Sequence, residues 1–420
     1  MNSNAVFWHV SKLSRSKPKR AQPQQPAAKN NLDFPSLLEF KHLCETRGAS
    51  SVAFSFQVLG QDKNTSARRG VVSTSHGVIQ TPVFMSVGTF GSVRALDHVD
   101  LESIGVQIIL GNTYHLYLRP GALTLQQRGG YHNLIHWNAP ILTDSGGFQI
   151  FSLPHQRVIS EQGVEFKSYL DQAGRFFSPE SNIAFQETIG SDIMMVLDVC
   201  VPSTSARDIA ARAMERTHRW AKRCKSAQKN HENALFGIVQ GAIFEDLRKE
   251  SAAALTELDF PGYAIGGLAV GETDDEREHF TQYTAALLPA NKPRYLMGVG
   301  TPHDLVRSIR AGIDMFDCII PTNHARQGVA YTFGGKVKLR RAALAIAEES
   351  IDSSCSCFVC RRYSRGYLHQ LIKCDEPTGW RLVSYHNTWF YERLMERCRD
   401  EIMAGTFDSF SAWFLSHAED

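Results

Sequence analysis

Between residues 139 and 317 the chain repeats one pattern. A short apolar, β-rich run stops at a polar residue or glycine, and a stretch with apolar positions three and four apart usually follows. The runs predict strands at 141–143, 193–197, 235–239, 263–265, 294–296 and 312–316, ending at Asp144, Asp198, Gln240, Gly266 with Gly267, Met297 and Asp317. The spaced stretches predict helices at 208–229, 244–258, 276–288 and 304–311. Thr273 with Glu276 three residues on reads as a capping box, and Thr301 before Pro302 puts proline in a first helical turn.

Repeated strand–helix units joined by right-handed crossovers build a parallel sheet, open or closed. Closure into a (β/α)8 barrel is the better reading, because such barrels carry their functional groups at the C-terminal ends of several strands. Here those positions hold Asp, Asp, Gln, Gly-Gly, Met and Asp. An open dinucleotide-binding sheet needs a Gly-x-Gly-x-x-Gly at its first turn, and none follows a convincing strand.

Composition changes this picture only at the edges. The 420 residues are 43% apolar and 21% charged, ordinary values for a folded globular chain. Lys plus Arg at 45 against Asp plus Glu at 43 is too balanced to declare a nucleic-acid partner, so any basic surface is local. No apolar run approaches the roughly 18 residues of a membrane span, and no secretory leader is apparent, which sets a reducing, cytoplasmic expectation. Residues 1–50 read as a separate basic extension, with Lys12, Arg15, Lys17, Lys19, Arg20 and Lys29 before the first acid at Asp33. Either an organelle transit peptide or a disordered extension fits it. The expected plan is that extension, a catalytic barrel over 51–345, and a zinc-binding subdomain with C-terminal helices over 346–420.

Two carboxylates at strand ends, Asp144 on the glycine-rich turn Asp144-Ser145-Gly146-Gly147 and Asp317 before Cys318, suit glycosidic-bond chemistry. One would attack the anomeric carbon while the other moves protons at the leaving group. The Asp-Ser-Gly triplet also occurs in aspartic proteases, but those need two such loops in an all-β chain. Asp198, the amide of Gln240 and the backbone at Gly266-Gly267 can read the edge of a heterocyclic base, with Phe148 and Met297 on its faces. Cys355-x-Cys357-x-x-Cys360 supplies three thiolates for a tetrahedral zinc, and His369, Cys374 and His386 all lie downstream as sources of a fourth ligand. The acid-free segment after Cys318 carries Arg326, Lys336, Lys338 and Arg340; alternation puts the last three on one strand face, for phosphate contact.

The runs Gly111-Asn112-Thr113-Tyr114-His115-Leu116, Thr143-Asp144-Ser145-Gly146-Gly147-Phe148-Gln149, Gly266-Gly267-Leu268-Ala269-Val270-Gly271-Glu272, Tyr295-Leu296-Met297-Gly298-Val299-Gly300 and Asp314-Met315-Phe316-Asp317-Cys318, with the cysteine cluster, resemble tRNA-guanine transglycosylases of the bacterial type. The resemblance spans roughly residues 52–410 and implies an irregular (β/α)8 TIM barrel with a zinc subdomain near the C-terminus. It implies exchange of guanine at the first anticodon position of tRNAs for Asp, Asn, His and Tyr for a 7-deazaguanine, towards queuosine. In that pattern Asp317 is the nucleophile at ribose C1′ and Asp144 the general acid/base. Asp198, Gln240, Gly267 and Leu268 bind the base between Phe148 and Met297, Glu272 orients the loop, and His386 is the fourth zinc ligand. Cys200 and the Leu268–Glu272 loop favour 7-aminomethyl-7-deazaguanine over queuine. Asn323 stands where the family usually has Arg, which removes one expected anticodon-loop contact. The resemblance also implies a homodimer. Rival readings are a non-catalytic tRNA-binding partner subunit, a queuine-preferring enzyme and a zinc-stabilised glycoside hydrolase; retention of both Asp144 and Asp317 argues against the first.

Overall fold

The computed structural model describes residues 53–153 and 157–417. The basic stretch over 1–50 lies outside them. Eight parallel strands close a barrel in chain order: β1 (Val83–Gly88), β2 (Ile109–Gly111), β3 (Ile141–Thr143), β4 (Ile193–Met195), β5 (Ala234–Val239), β6 (Gly262–Ile265), β7 (Arg294–Leu296) and β8 (Met315–Cys318). Closure is made by β8 against β1, in the register Met315↔Val83 to Cys318↔Ser86.

The six expected strands all exist, and two more, β1 and β2, were not expected. Every residue of β5 is buried, which explains why these strands read as unbroken apolar runs rather than alternations. The helices fall within a few residues of expectation, at Arg207–Ala227, Glu245–Glu257, Asp274–Leu287 and Pro302–Arg310. The first buries Ala210, Ala213, Met214, Thr217, Trp220, Ala221 and Cys224, one stripe at helical spacing. Thr273 and Glu276 form the reciprocal capping box, and Thr301 accepts from Asp304 N ahead of Pro302.

The irregularities are additions to the barrel. An antiparallel sheet (Ser55–Gln61, Arg68–Thr74, Gly77–Thr81) precedes β1, a second one (Arg157–Ile159, Val164–Lys167, Gly174–Phe177) follows β3, and a hairpin (Val329–Thr332, Gly335–Lys338) follows β8. A long helix, Pro377–Ala404, then packs back against the barrel: Tyr391 Oη donates to Gly300 O at 2.6 Å, and Arg399 Nη1 to Pro82 O at 2.7 Å. Among the described residues no helix is long and apolar enough to cross a membrane.

Candidate active site

A cavity of about 310 Å³ opens at the C-terminal ends of the strands, lined by Asp144, Asp198, Gln240 and Asp317 among others. Phe148, Met297, Cys200, Gly267 and Leu268 share its wall. Sequence positions spread over 174 residues therefore meet, since each stands at or just beyond the end of a barrel strand.

Asp144 follows β3 and is buried. Its Oδ1 accepts from the backbone N–H groups of Thr113 (2.9 Å) and Gly146 (3.1 Å), and its Oδ2 from Asn112 Nδ2 (2.5 Å) and Gln149 Nε2 (3.2 Å). Burial outweighs those donors, and with the nearby charge of Asp317 it pushes the Asp144 carboxyl up to about 7. A carboxyl that titrates near neutrality gives and takes protons at physiological pH.

Asp317 lies within β8, one residue further into the strand than the apolar run indicated. Both of its hydrogen bonds fall on Oδ1, from Tyr295 Oη at 2.6 Å and Gly298 N at 2.8 Å, so Oδ2 carries none, and the residue lines the cavity. Burial raises its pKa, while those two donors pull it back towards the ionised form.

Asp198 and Gln240 form a preassembled pair: Gln240 Nε2 donates to Asp198 Oδ2 at 2.7 Å, and Ser145 Oγ to Oδ1 at 2.7 Å. Gly147 passes so close that a Cβ there would sit 2.6 Å from Asp198 Oδ1, which explains the glycine after Gly146. Phe148 is 50% exposed at the rim, free to cover a planar ligand, and Met297 is half-buried. Glu272 stands behind the lining loop, its carboxylate accepting from the N–H groups of Ala269 and Val270 (3.1 Å to the latter). Burial pushes the Cys200 thiol up, so it lines the cavity as a neutral group.

Asn112, Thr113, Gln149 and Tyr295 hold the two carboxylates, although the residue pattern assigned them no role. Asn112 had a legible signal: its side chain caps the helix Thr113–Leu118 by accepting from His115 N at 2.9 Å, directly after β2. Tyr295 had none, because its partner lies on the next strand.

Cys355, Cys357, Cys360 and His386 converge, their donor atoms within 4.8 Å of one another. The three Sγ atoms lie 3.9, 3.6 and 3.3 Å from His386 Nδ1. A tetrahedral zinc with S and N ligands spaces these atoms at roughly 3.5 Å. His386 Nε2 donates to Tyr331 O at 2.8 Å, which leaves Nδ1 with its lone pair aimed at the sulfurs. The donor set therefore fits a closed metal site. His369 is engaged elsewhere, Nδ1 with Leu339 O at 2.6 Å, and Cys374 is exposed, so the cluster takes His386.

The basic residues are only partly as expected. Lys336 and Lys338 alternate on the Gly335–Lys338 strand, but Arg340 lies beyond it and pairs with Asp375 at 3.0 Å, because the strand ends where Leu339 turns into the core. Arg326 is exposed and stacks 5.1 Å over Trp380. None of the four is among the cavity's lining residues.

Residues 62–420 match the family described as Queuine tRNA-ribosyltransferase. A protein of that name from Halothermothrix orenii is 48% identical over 364 residues, 87% of this chain and 98% of the relative. One from Oleidesulfovibrio alaskensis is 50% identical over 348 residues, 82% and 92%. Another, from Dichelobacter nodosus, is 50% identical over 354 residues, 84% and 96%. With a closed parallel barrel, paired carboxylates at its open end and a Cys3His cluster beside it, the chain belongs to the queuine tRNA-ribosyltransferase family, the tRNA-guanine transglycosylases.

Proposed function

We propose that this enzyme exchanges guanine at the first anticodon position of tRNAs for Asp, Asn, His and Tyr for 7-aminomethyl-7-deazaguanine, by double displacement. The observation that carries the reading is the pair Asp144 and Asp317 in one cavity, one carboxyl poised near neutrality and the other with a free oxygen. Asp317 Oδ2 attacks ribose C1′ as the bond to the base breaks, and Asp144 delivers a proton to the departing base. The incoming base gives its proton to Asp144, its nitrogen attacks C1′, and the Asp317 ester is released with the original anomeric configuration restored. One glycosidic bond replaces another, so no energy source is needed.

Asp198 and Gln240 read the base edge with the backbone of Gly267 and Leu268, Phe148 and Met297 cover its faces, and Glu272 holds the loop. Cys200 with the loop 268–272 sets the preference for the aminomethyl base over queuine. Arg326, Lys336, Lys338 and Arg340 contact the tRNA backbone, with Asn323 contributing one contact fewer than an arginine. The Cys3His cluster holds one structural zinc per subunit, which ties the 346–420 region together. The enzyme acts in the cytoplasm as a homodimer.

The test is exchange of labelled guanine into tRNA, with guanine, the aminomethyl base and queuine in competition. Sugar release in place of exchange would identify a hydrolase, binding without exchange a partner subunit, and queuine incorporation the alternative substrate. Metal analysis should find one zinc per chain, and Cys357→Ser should lose it together with stability of the C-terminal region; a zinc-free protein that melts like its Cys357→Ser variant would refute the assignment.

A further inference from the structure

Arg248 is fully buried on the helix Glu245–Glu257, and no ion pair of the described residues reaches it. A guanidinium loses much of its hydration in such a place, so its partners need explaining. Nε and Nη2 meet backbone carbonyls at the ends of two adjacent strands, Nη1 is buried without a hydrogen-bond partner, and the nearby charge of Glu272 favours the cation. Nε donates to Ala242 O at 2.7 Å after β5, and Nη2 reaches Gly266 O at 3.2 Å and Gly267 O at 3.4 Å after β6. Phe280 covers the guanidinium at 5.8 Å. Burial lowers its pKa to about 10, so it remains a cation at neutral pH.

The consequence lies on the other side of the same peptides. In a trans peptide the C=O and the following N–H point in opposite directions. Holding Gly266 O and Gly267 O towards the helix turns the N–H groups of Gly267 and Leu268 the other way, and both residues line the cavity. Neither N–H has an internal hydrogen bond among the described residues. Gly267 sits at φ +66°, and a Cβ there would meet Gln240 Oε1 at 2.5 Å, so this segment has little room to relax by itself.

We infer that Arg248 is a positioning residue which fixes the polarity of the Gly266–Leu268 peptides, so that the cavity offers N–H donors and selects a base with an oxygen acceptor on that edge. The inference rests on the base-exchange reading. It adds a physical cause for preferring a 6-oxo purine over a 6-amino one, because an amino group placed against an N–H leaves both donors unpaired.

The experiment compares guanine with 2,6-diaminopurine as competitors for base exchange in the wild type, Arg248→Lys and Arg248→Gln, with thermal unfolding followed in parallel. The expected result is a rise in KM for guanine of about tenfold in Arg248→Gln, the equivalent of about 1.4 kcal/mol. With it, kcat changes little, KM for tRNA holds, and the guanine preference narrows. Arg248→Lys recovers part of the preference, since an ammonium reaches fewer of the carbonyls. A guanine preference equal to wild type in both variants overturns the inference while leaving the exchange reading intact. Loss of cooperative unfolding in both also overturns it, by assigning the guanidinium to core stability. A wild type that exchanges no guanine removes the exchange reading and this inference together.

Discussion

Asp144, Asp198 and Asp317 at the open end of the barrel differ from Asp192 and Asp314 at the opposite end in what faces them. Asp192 precedes β4 and accepts from His76 Nδ1 at 2.8 Å, Ser75 Oγ at 3.1 Å and Ile141 N at 2.9 Å, with His132 Nε2 at 3.3 Å. Burial disfavours its charge, but the two imidazoles and the Ile141 N–H win and hold its pKa well below the usual carboxylate range. Asp314 precedes β8 and takes a bidentate guanidinium from Arg68 (3.0 and 2.5 Å) plus Arg294 N at 2.7 Å. The open-end acids have only neutral donors, and burial raises all three; it raises Asp314 as well, its guanidinium partner notwithstanding, so the two ends differ in the groups that meet the carboxylates and not uniformly in pKa. A guanidinium or imidazole partner ties a carboxylate into an ion-pairing cluster at the closed end, while amides and hydroxyls at the open end orient it without supplying a counter-charge.

Substitution can break this contrast at several points. The largest effect is expected from Asp317→Asn, which removes the proposed nucleophile: exchange should fall by roughly 10³-fold or more, and no enzyme–tRNA adduct should survive a denaturing gel, although tRNA still binds. Asp144→Asn should cost about 10²- to 10⁴-fold and erase the limb of the pH–rate profile near 7 set by this group. An adduct persisting in Asp317→Asn but absent in Asp144→Asn would reverse the two roles. Asp144→Asn also bears on stability. The folded value of about 7 stands above the ordinary 3.8, so the wild-type carboxyl contributes most below pH 3.8 and loses that contribution as pH rises through 7. Relative to wild type, the variant should therefore melt higher at pH 8 than at pH 5.

Asp314→Asn reports the opposite behaviour. It leaves the Arg68 guanidinium buried without its counter-charge and should cost about 3 kcal/mol of stability in chemical unfolding, with exchange per folded molecule unchanged. The smallest effect belongs to His76, whose pKa the Asp192 hydrogen bond raises from 6.5. Its contribution is complete below pH 6.5 and declines as pH rises through the raised folded value, so His76→Gln should approach wild-type stability in alkaline buffer. An offset that grows with pH would contradict that sign.

The contrast was half legible in the sequence. Asp144, Asp198 and Asp317 could be picked out because each interrupts or follows an apolar run, and the β5 run is legible because burial on both faces forbids polar residues. The strands β1 and β2 escaped since the residues after them form only short helices, His98–Ile104 and Thr113–Leu118, too brief to show a helical period. The strand end at Asp317 was misplaced because an acid reads as a stop, whereas at a barrel mouth it pairs in register with Met85 on β1. What holds the acids was hidden: Tyr295 reaches Asp317 across 22 positions, a neighbourhood created by the β7–β8 register and by nothing local. The strand position assigned to Arg340 failed for a similar reason, since alternation cannot say where a ladder stops.

The helix Pro377–Ala404 has a further meaning for how the molecule is assembled. Arg381 bonds Asp100 across 281 positions, Arg399 bonds Pro82 across 317, and Asn387 accepts from Tyr331 N and donates to Pro321 O. One late segment thus fastens the start of the barrel, its first helix and the hairpin after β8. Contacts at such separations slow folding, because long loops must close before they are rewarded. A nascent chain that has delivered all eight strands still lacks this fastening, and acquires it only when residues 377–404 are synthesised and free to dock. Activity in a growing polypeptide should therefore switch on late and in one step, and shortening the chain within this helix should abolish it even though every cavity residue is present.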